Sequence, residues 1–348
     1  MAKNIVGVDI GANEIRAVEV SGAATSKPVV VRFGRIALAP GAAHRGEVNE
    51  PHTVATALKQ LWREAKFRST KIVLGVGNHS VLARDLALPK TPLSQIRESL
   101  PFHVQDLLPM PMADAVFDFY PLREGEREGQ PVIQGILVAA TKSKVMTTID
   151  AARMAGLSPI GVDLIPFALT RLVSRVENTA GTTLLLDVGA STTTFVVAKD
   201  GVPQFVRLIG MGGADITSAI SSRLSIEEGD ADAAKRALGL PTTLADEQHR
   251  PAVEIIYEVA GELLTSIRNT ITYVANTHQI THIDRIVLSG NGGRLPGLDR
   301  VLAEYTGISV LGLAPFATVA RRGAARRADT SAEASLGVAL GLALGAAA

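Results

Sequence analysis

Two short stretches of this sequence end an apolar run on an aspartate and place a glycine two residues later. Residues 6–20 read VGVDIGANEIRAVEV, and residues 184–198 read LLLDVGASTTTFVVA. The aspartates, Asp9 and Asp187, are separated by roughly half of the 348-residue chain. A motif repeated at that distance predicts two related halves, with the functional site where the halves meet.

Each of these turns has the composition of a cradle for an anion. Gly11 and Gly189 permit backbone conformations that other residues avoid, and the small neighbours Ala12 and Ala190 leave room beside them. Successive backbone amides in such a turn form a concave nest for phosphate oxygens. Further side-chain donors come from Asn13, Ser191, Thr192 and Thr193. A single turn of this kind is more often a simple hairpin. Phosphate binding is therefore predicted because the turn occurs twice.

The two aspartates and a later glycine-rich turn extend this prediction to a whole nucleotide. Asp9 and Asp187 end their strands where they could hold Mg²⁺ through water, because that ion usually keeps several of its waters. Residues 289–298 read SGNGGRLPGL, and this backbone would let an adenosine lie directly against it. The candidate binding residues of that turn are Gly290, Asn291, Gly292 and Gly293. The combination predicts ATP and Mg²⁺ held between two halves.

The elements that must position these turns alternate between strand and helix. Apolar runs predict strands at Ile5–Ile10, Ile15–Val20 and Val29–Leu38, and a buried strand at Lys71–Gly77. Helices are predicted at Pro51–Lys66 and Ile165–Val176.

Between these elements the pattern predicts a small inserted α+β module. Its strands are predicted at residues 81–89, 115–122 and 132–140, and its helices begin after Thr91-Pro92 and at Lys142. The polar residues between the last two strands predict a loop. Pro101 lies inside the first helical pattern and predicts a kink or a break there.

The second half repeats the opening hairpin and then becomes helical. A strand is predicted at Thr182–Asp187, and Lys199-Asp200-Gly201 predicts the turn into residues 202–210. Helices are predicted at Asp215–Leu224, at 227–239 with Ser225 and Glu228 as a capping box and Gly239 as its end, and at Ala252–Thr277.

Composition excludes several classes of function. A formal net charge of +1 gives no reason to expect nucleic acid as a partner, and the lack of cysteine excludes disulfides and thiolate zinc sites. His278 and His282 lie four residues apart, but no third ligand is evident for a zinc ion. The apolar segment Leu336–Ala348 is shorter than the ~20 residues that span a bilayer, so we interpret it as a buried terminal helix. The N-terminus lacks a signal-peptide layout, which favours a cytoplasmic location.

The phosphate and adenosine motifs resemble those of the actin/Hsp70/hexokinase superfamily. Residues 8–20 and 184–197 match the two phosphate motifs, and residues 286–298 match the adenosine motif. MGGADIT, which begins at Met211, matches a Gly-Gly step and adds Gly212 and Gly213 to the candidate site. The resemblance implies an α/β fold, namely the actin-like (ribonuclease H-like) duplicated two-domain ATPase fold with a small inserted α+β module.

Three positions bear on what the resemblance implies for chemistry. Relatives place an acid three residues before a lysine at the nucleoside, which corresponds here to Asp232 and Lys235, although a surface ion pair explains that spacing equally well. Arg16 occupies a position that is lysine in many relatives, and it would meet oxygens as a planar fork. Ile165 and Pro166 stand where many ATPases carry a water-positioning acid or glutamine, with Asp163 slightly upstream. We therefore expect ATP binding with slow or absent hydrolysis, and we assign no catalytic residue.

The inserted module and the C-terminus point to one branch of the superfamily. The module resembles that of the FtsA and PilM lineage, and residues 88–122 and 334–345 resemble the PilM family of type IV pilus assembly proteins. The resemblance implies a cytoplasmic protein that reaches the inner membrane through a partner, without inserting into the membrane itself. That partner would be a PilN-like inner-membrane protein, whose N-terminal tail would lie between the first domain and the insert. It also implies contacts with other platform proteins and allows self-association.

The implied domains are a first actin-like domain at 1–79 and 160–180, the module at 80–159, and a second actin-like domain at 181–335. The second domain carries a helical insert at about 215–280, and residues 336–348 form a helix on the first domain. Three alternatives stay open: a cell-division protein like FtsA, a small-metabolite kinase of the same superfamily, and a scaffold that binds no nucleotide.

Overall fold

A computed structural model describes residues 4–78, 81–176, 180–243, 246–278, 280–317, 319–323, 325 and 334–345. Its strands are β1 (Ile5–Ile10), β2 (Glu14–Ser21), β3 (Val29–Ala37), β4 (Ala43–His44), β5 (Glu47–Val48), β6 (Lys71–Val76), β7 (Leu82–Pro89), β8 (Ala115–Arg127), β9 (Gln130–Thr141), β10 (Ser158–Leu164), β11 (Thr182–Val188), β12 (Thr193–Lys199), β13 (Val202–Ile209), β14 (Arg285–Ser289), β15 (Val310–Gly312) and β16 (Ala320–Arg321). Its α-helices are α1 (Pro51–Glu64), α2 (Leu93–Val104), α3 (Lys142–Met154), α4 (Ile165–Val176), α5 (Gly213–Leu224), α6 (Glu228–Leu238), α7 (Arg250–His278), α8 (Leu298–Thr306) and α9 (Gly337–Gly345).

The two large sheets share one strand arrangement. The six-stranded sheet has the order β10-β6-β1-β2-β3-β16, and the five-stranded sheet has the order β13-β12-β11-β14-β15. In each sheet the aspartate-bearing strand pairs antiparallel with the next strand and parallel with a later one. Asp9 lies opposite Arg16, and Asp187 lies opposite Thr194. The predicted duplication is therefore confirmed.

The third sheet belongs to the predicted insert and has the order β7-β9-β8. Helix α2 packs on it through the buried side chains Ile96, Leu100 and Val104. The predicted break at Pro101 is wrong, because the helix continues to Val104. Pro101 lies in the last turn, where it removes only one backbone hydrogen bond while the apolar face stays packed.

Two further local predictions are corrected. The loop predicted between the insert strands is mostly strand, since β8 and β9 stay paired from Ala115 to Arg127 and turn at Glu128 and Gly129. The predicted capping box is also wrong. Ser225 ends α5 in the left-handed region (φ 54°), and Glu227 precedes α6 without a side-chain cap. Gly239 ends α6 as predicted.

The C-terminal helix α9 lies in the core, as predicted for the part of it that is described. Val338, Leu340, Leu342 and Leu344 are fully buried or nearly so. A side chain at Gly7 of β1 would collide with the backbone of α9, and one at Gly341 of α9 would collide with the carbonyl of Ala168 in α4. Small residues on both sides thus let helix and sheet approach closely. Residues 346–348 of the predicted helix lie outside the described residues.

The insert sheet contacts both large sheets through side chains. Tyr120 of β8 stacks on Phe167 of α4, with ring centroids 4.7 Å apart. On the other side, Nε2 of His278 in α7 lies 3.2 Å from Oδ2 of Asp85 in β7. Within the described ranges, no group of three or more His, Asp and Glu residues could hold a metal ion, and no helix is long and apolar enough to cross a bilayer. The domain boundaries stay a prediction.

Candidate nucleotide site

The first glycine turn connects β1 to β2 and is closed by its own backbone. The amide of Gly11 donates to the carbonyl of Glu14 at 3.0 Å, and the carbonyl of Asn13 accepts from the amide of Leu38 at 2.8 Å. Ala12 lies between these two anchors. A Cβ on Gly11 would lie 2.8 Å from Nη2 of Arg16, so the absence of a side chain at Gly11 leaves room for the guanidinium beneath the turn.

Arg16 is held by two carboxylates. Its Nη1 lies 3.0 Å from Oδ2 of Asp9, and its Nε lies 2.9 Å from Oε1 of Glu14. Nη1 also lies 3.4 Å from the carbonyl of Ser335, just before α9. The positive charge of Arg16, which was expected to face phosphate, is therefore balanced by two carboxylates of the first hairpin.

Asp9, which is buried, and Asp187, which is half-buried, place carboxyl groups at corresponding strand ends. Burial raises the pKa of Asp9, although the charge of Arg16 opposes this. Burial also raises the pKa of Asp187 to about 6, with Ser289 in the adjacent strand lowering it and the charge of Asp9 raising it further. Because the charge of Asp9 acts on Asp187, the repeat brings the two carboxyl groups near each other. Two such oxygen ligands suit a Mg²⁺ ion that keeps several waters.

The second glycine turn packs directly on the Gly-Gly step. The amides of Gly213 and Ala214, at the start of α5, donate to the carbonyls of Gly189 and Ala190 at 2.9 and 2.6 Å. A Cβ on Gly212 would lie 2.6 Å from both of these carbonyl oxygens. Nearby, the hydroxyl of Thr193 donates to the carbonyl of Met211 at 2.8 Å, and the amide of Gly189 donates to the carbonyl of Thr192 at 2.9 Å.

The adenosine motif lies against the same turn. Gly290 has φ +84°, and a side chain there would collide with the carbonyl of Val188. A Cβ on Gly292 would lie 2.6 Å from the carbonyl of Gly189, and one on Gly213 would lie 3.2 Å from Cα of Gly292. Gly293 packs against Leu288 instead. The structure thus brings three separate glycine motifs together, as a backbone-lined nucleotide site requires.

Asp232 and Lys235 are both an ion pair and part of this assembly. Nζ of Lys235 lies 2.7 Å from Oδ1 of Asp232, and it donates to the carbonyl of Gly213 at 3.0 Å and to Oγ1 of Thr217 at 2.7 Å. Burial opposes ionisation of Asp232, but the hydrogen bond and charge of Lys235 and Arg236 lower its pKa. The ion pair that the spacing allowed is therefore present, with the lysine beside the Gly-Gly step, and the role of the two residues at a nucleoside stays a prediction.

Two contacts that cross between the large sheets were missed from the sequence. Nδ2 of Asn291 donates to Oε1 of Glu14 at 2.8 Å, and the amide of Arg45 donates to Oγ of Ser191 at 3.1 Å. Thr217 is a further missed member, through its contact with Lys235. Glu14 and Thr217 lie inside motifs that the sequence analysis had already identified, so their place in those motifs could have marked them as members of the site. Arg45 lies in no such motif, and the sequence gives no sign of its contact.

The junction of β10 and α4 stands where many relatives position a water. Ile165 packs over Gly75 and Gly77, where an added Cβ would touch its side chain. The carboxylate of Asp163 accepts from the amide of Leu164 at 2.8 Å and pairs with Nη1 of Arg171 at 3.0 Å. Asp163 is therefore engaged in holding strand to helix. The arrangement offers backbone groups and side chains of the kinds that contact an anionic nucleotide.

Comparison with known proteins agrees with this geometry. The family of type IV pilus assembly proteins PilM matches residues 7–347. The chain belongs to the PilM family. A solved PilM–PilN type IV pilus biogenesis complex is 27% identical, with a TM-score of 0.86 and full coverage of both chains.

More distant structures share the fold alone. The ethanolamine utilization protein EutJ from Carboxydothermus hydrogenoformans has a TM-score of 0.59 at 13% identity, covering 99% of this chain and 90% of EutJ. MreB5 of Spiroplasma citri bound to ADP has a TM-score of 0.52 at 10% identity, covering 90% of this chain and 93% of MreB5.

A sequence relative is also found. The cell division protein FtsA of Bacillus subtilis (strain 168) is 29% identical over 108 residues, which are 31% of this chain and 24% of FtsA. The actin-like fold expected from the sequence is confirmed for this PilM-family chain.

Proposed function

We propose that this PilM-family chain is a cytoplasmic, ATP-binding component of the type IV pilus inner-membrane platform. In this proposal it binds the N-terminal cytoplasmic tail of a PilN-like membrane protein and reaches the membrane through it. The likeness to a solved PilM–PilN complex, over the full length of both chains, supports the proposed PilN-like partner. Two observations support the nucleotide: three glycine motifs pack on one another, and the charge of Asp9 acts on Asp187 at the start of one of these motifs. Contacts with other platform proteins and self-association belong to the proposal as well.

The proposed nucleotide would span both large sheets. The turns at Gly11–Asn13 and Gly189–Thr193 would hold its phosphates, the motif at 290–293 its adenosine, and Asp9 with Asp187 its Mg²⁺. ATP would supply a charged bridge between the halves, while the residues of this chain bind and orient it. Titration calorimetry with Mg-ATP tests this directly. We expect binding by the unaltered chain and a loss of Mg²⁺ dependence in Asp187→Asn; absence of any binding would favour the nucleotide-free scaffold.

The proposed tail site lies between the six-stranded sheet and the insert. β10 is an outer strand of the first sheet, and its apolar side chains Ile160 and Val162 are 49% and 39% exposed. β8 is an outer strand of the insert sheet and approaches through Tyr120 on Phe167. An extended tail could add to such an open edge, taking main-chain hydrogen bonds for affinity and side-chain pockets for specificity.

The experiment measures binding of a synthetic tail peptide, taken from the PilN-like protein encoded by the same genome. Ile160→Asp and Val162→Asp should weaken binding by about tenfold or more, since each removes an apolar contact at an anchor position. Leu311→Asp is the matched control, because Leu311 is 44% exposed on β15, an outer strand of the five-stranded sheet. Equal weakening by all three variants, or by none, would overturn this location.

A division protein like FtsA is the second candidate, supported by the partial match to that family. It predicts capture of division proteins rather than a pilus membrane protein from detergent-solubilised inner membranes. A metabolite kinase predicts ATP consumption that a sugar stimulates.

A further inference from the structure

Glu14 holds an unusual position for an acidic residue, directly after the first glycine turn. One of its oxygens, Oε1, lies 2.9 Å from Nε of Arg16 and accepts the hydrogen bond from Nδ2 of Asn291 at 2.8 Å. The other, Oε2, lies 3.9 Å from Nη1 of Arg35. The side chain is only 17% exposed. A single carboxylate therefore contacts the first hairpin and the adenosine motif at once.

The hydrogen bond between Glu14 and Asn291, here called the cross-sheet contact, joins residues 277 positions apart in the chain. Glu14 begins β2 of the six-stranded sheet, whereas Asn291 follows β14 of the five-stranded sheet. The amide of Arg45 and the hydroxyl of Ser191 make a second crossing. Of these two crossings, the one at Glu14 uses an ionisable side chain and a residue of the proposed adenosine motif.

The same carboxylate changes the charge that the first turn offers to an anion. Arg16 lies beneath Gly11, where a cation would attract phosphate, but Asp9 and Glu14 both pair with it. Asp9 is suited to a metal ion, which would bring its own positive charge. Glu14 lies closer to Arg16 (2.9 Å) than to Arg35 (3.9 Å), so its charge subtracts mainly from the attraction that Arg16 exerts.

We propose that Glu14 is a positioning and affinity-setting residue of the nucleotide site, with two separable effects. Its hydrogen bond to Asn291 holds the two large sheets together, and its negative charge weakens the binding of anionic nucleotide by neutralising Arg16. This inference rests on the proposed nucleotide function. It makes Glu14 a residue that sets both the closure of the cleft and its affinity for a triphosphate.

Two substitutions separate these effects. Glu14→Gln removes the charge and keeps an oxygen that accepts from Asn291, whereas Glu14→Ala removes both. Glu124→Gln is the matched control, since Glu124 forms an exposed ion pair with Lys90 in the insert. Because the chain contains no cysteine, Lys59→Cys in α1 and Glu262→Cys in α7 allow specific spin labelling of the two halves.

The first measurement is the distance distribution between the two spin labels, without added nucleotide. We expect Glu14→Gln and Glu124→Gln to match the unaltered chain, and Glu14→Ala to give longer and broader distances. Asn291→Ala removes the donor from the other side and should reproduce the change. This variant also decides the question if Glu14→Ala fails to fold. An unchanged distribution in the variants that lack the cross-sheet contact would overturn the structural effect.

The second measurement is the dissociation constant for Mg-ATP. Removing a like charge near the phosphates should lower it by about fivefold or more in Glu14→Gln, with no change in Glu124→Gln. An unchanged constant in Glu14→Gln would overturn the charge effect. If the unaltered chain and all variants fail to bind Mg-ATP, the charge effect fails with the proposed function, while the distances still decide the role of the cross-sheet contact.

Discussion

At the scale of single residues, the sequence predicted which side chains gather at the site but not what they contact. Gly189 and Gly292 were identified from glycine motifs in the sequence and Gly212 from the family resemblance, and the structure packs them together. Arg16 was predicted to face phosphate, yet it pairs with Asp9 and Glu14. Such partners depend on side-chain geometry and burial, which a motif does not encode. The raised pKa of Asp187 is a second property that only the folded surroundings create.

Asp187→Asn should stabilise the fold at neutral pH. Burial raises the pKa of Asp187 from 3.8 to about 6. Between these values the folded state keeps a proton that the unfolded state has lost, so this group's contribution to stability falls as pH rises through that window. Above it, the cost of the buried charge reaches up to ~3 kcal/mol, which asparagine avoids.

Urea unfolding at several pH values measures this effect. The gain of Asp187→Asn over the unaltered chain should be near zero at pH 4 and reach its full size above about pH 6.5. Asp106→Asn, at an exposed position, is the control for the substitution itself. If Asp187→Asn is less stable than the unaltered chain at pH 7, burial is not the main influence on the pKa of Asp187, and the prediction is wrong.

Gly290→Ala should lower the free energy of unfolding by more than the strain of a left-handed backbone alone would. At Gly290 (φ +84°) the added Cβ would also collide with the carbonyl of Val188, whereas at Gly307 (φ +70°) it would meet nothing within 4 Å. Gly307→Ala should therefore lose about 1 kcal/mol of unfolding free energy, and Gly290→Ala clearly more. Equal losses in chemical denaturation would show that the turn can relax.

At the scale of elements, strands and long helices were predicted well because their apolar periods are strong. β1, β6 and α7 lie within a few residues of their predicted bounds. β10 was not predicted: its outer residues Ile160 and Val162 are exposed, so no buried run marks it. The capping box at Ser225 was wrong because Ser225 itself ends the previous helix. Helix ends thus depend on neighbouring elements more than on local composition.

Packing of α9 gives a prediction in which helix propensity and tertiary contact oppose each other. In a helix interior, replacing glycine by alanine usually stabilises by about 1 kcal/mol. Gly261→Ala in α7 should follow this rule, because nothing lies within 4 Å of the added Cβ. Gly341→Ala in α9 should destabilise instead, because its Cβ would collide with the carbonyl of Ala168. Thermal unfolding of both variants checks the sign, and a stabilised Gly341→Ala would mean that α9 can move away from α4.

At the scale of the whole molecule, the duplicated topology was predictable from the repeated motif, whereas the contacts between the halves were not. The hydrogen bond of Glu14 with Asn291 and the pair of His278 with Asp85 join residues far apart in sequence. The histidine, considered from spacing as a zinc ligand, instead lies with its Nε2 3.2 Å from Oδ2 of Asp85 in the insert. The insert thus contacts the second half through Asp85 and the first half through Tyr120. A change in the angle between the halves would therefore alter at least one of these two contacts of the insert.

This connectivity predicts that nucleotide and tail bind cooperatively. If Mg-ATP favours the closed arrangement that also shapes the edge between β8 and β10, it should tighten tail binding by a factor between about 5 and 150. The tail must then tighten Mg-ATP binding by the same factor, because coupling between two ligands is reciprocal. Calorimetric titrations in both orders measure the two factors independently.

Phe167→Leu identifies the path of this coupling, since it removes the stack with Tyr120 while keeping an apolar side chain in α4. We expect the coupling factor to fall toward one, with each ligand alone losing much less affinity. Trp62→Leu is the matched control, because Trp62 packs against Phe67 with tilted rings, in a core cluster that contains neither Tyr120 nor Phe167. A coupling factor of one in the unaltered chain would leave two independent sites, and ATP would then have no part in holding the membrane partner.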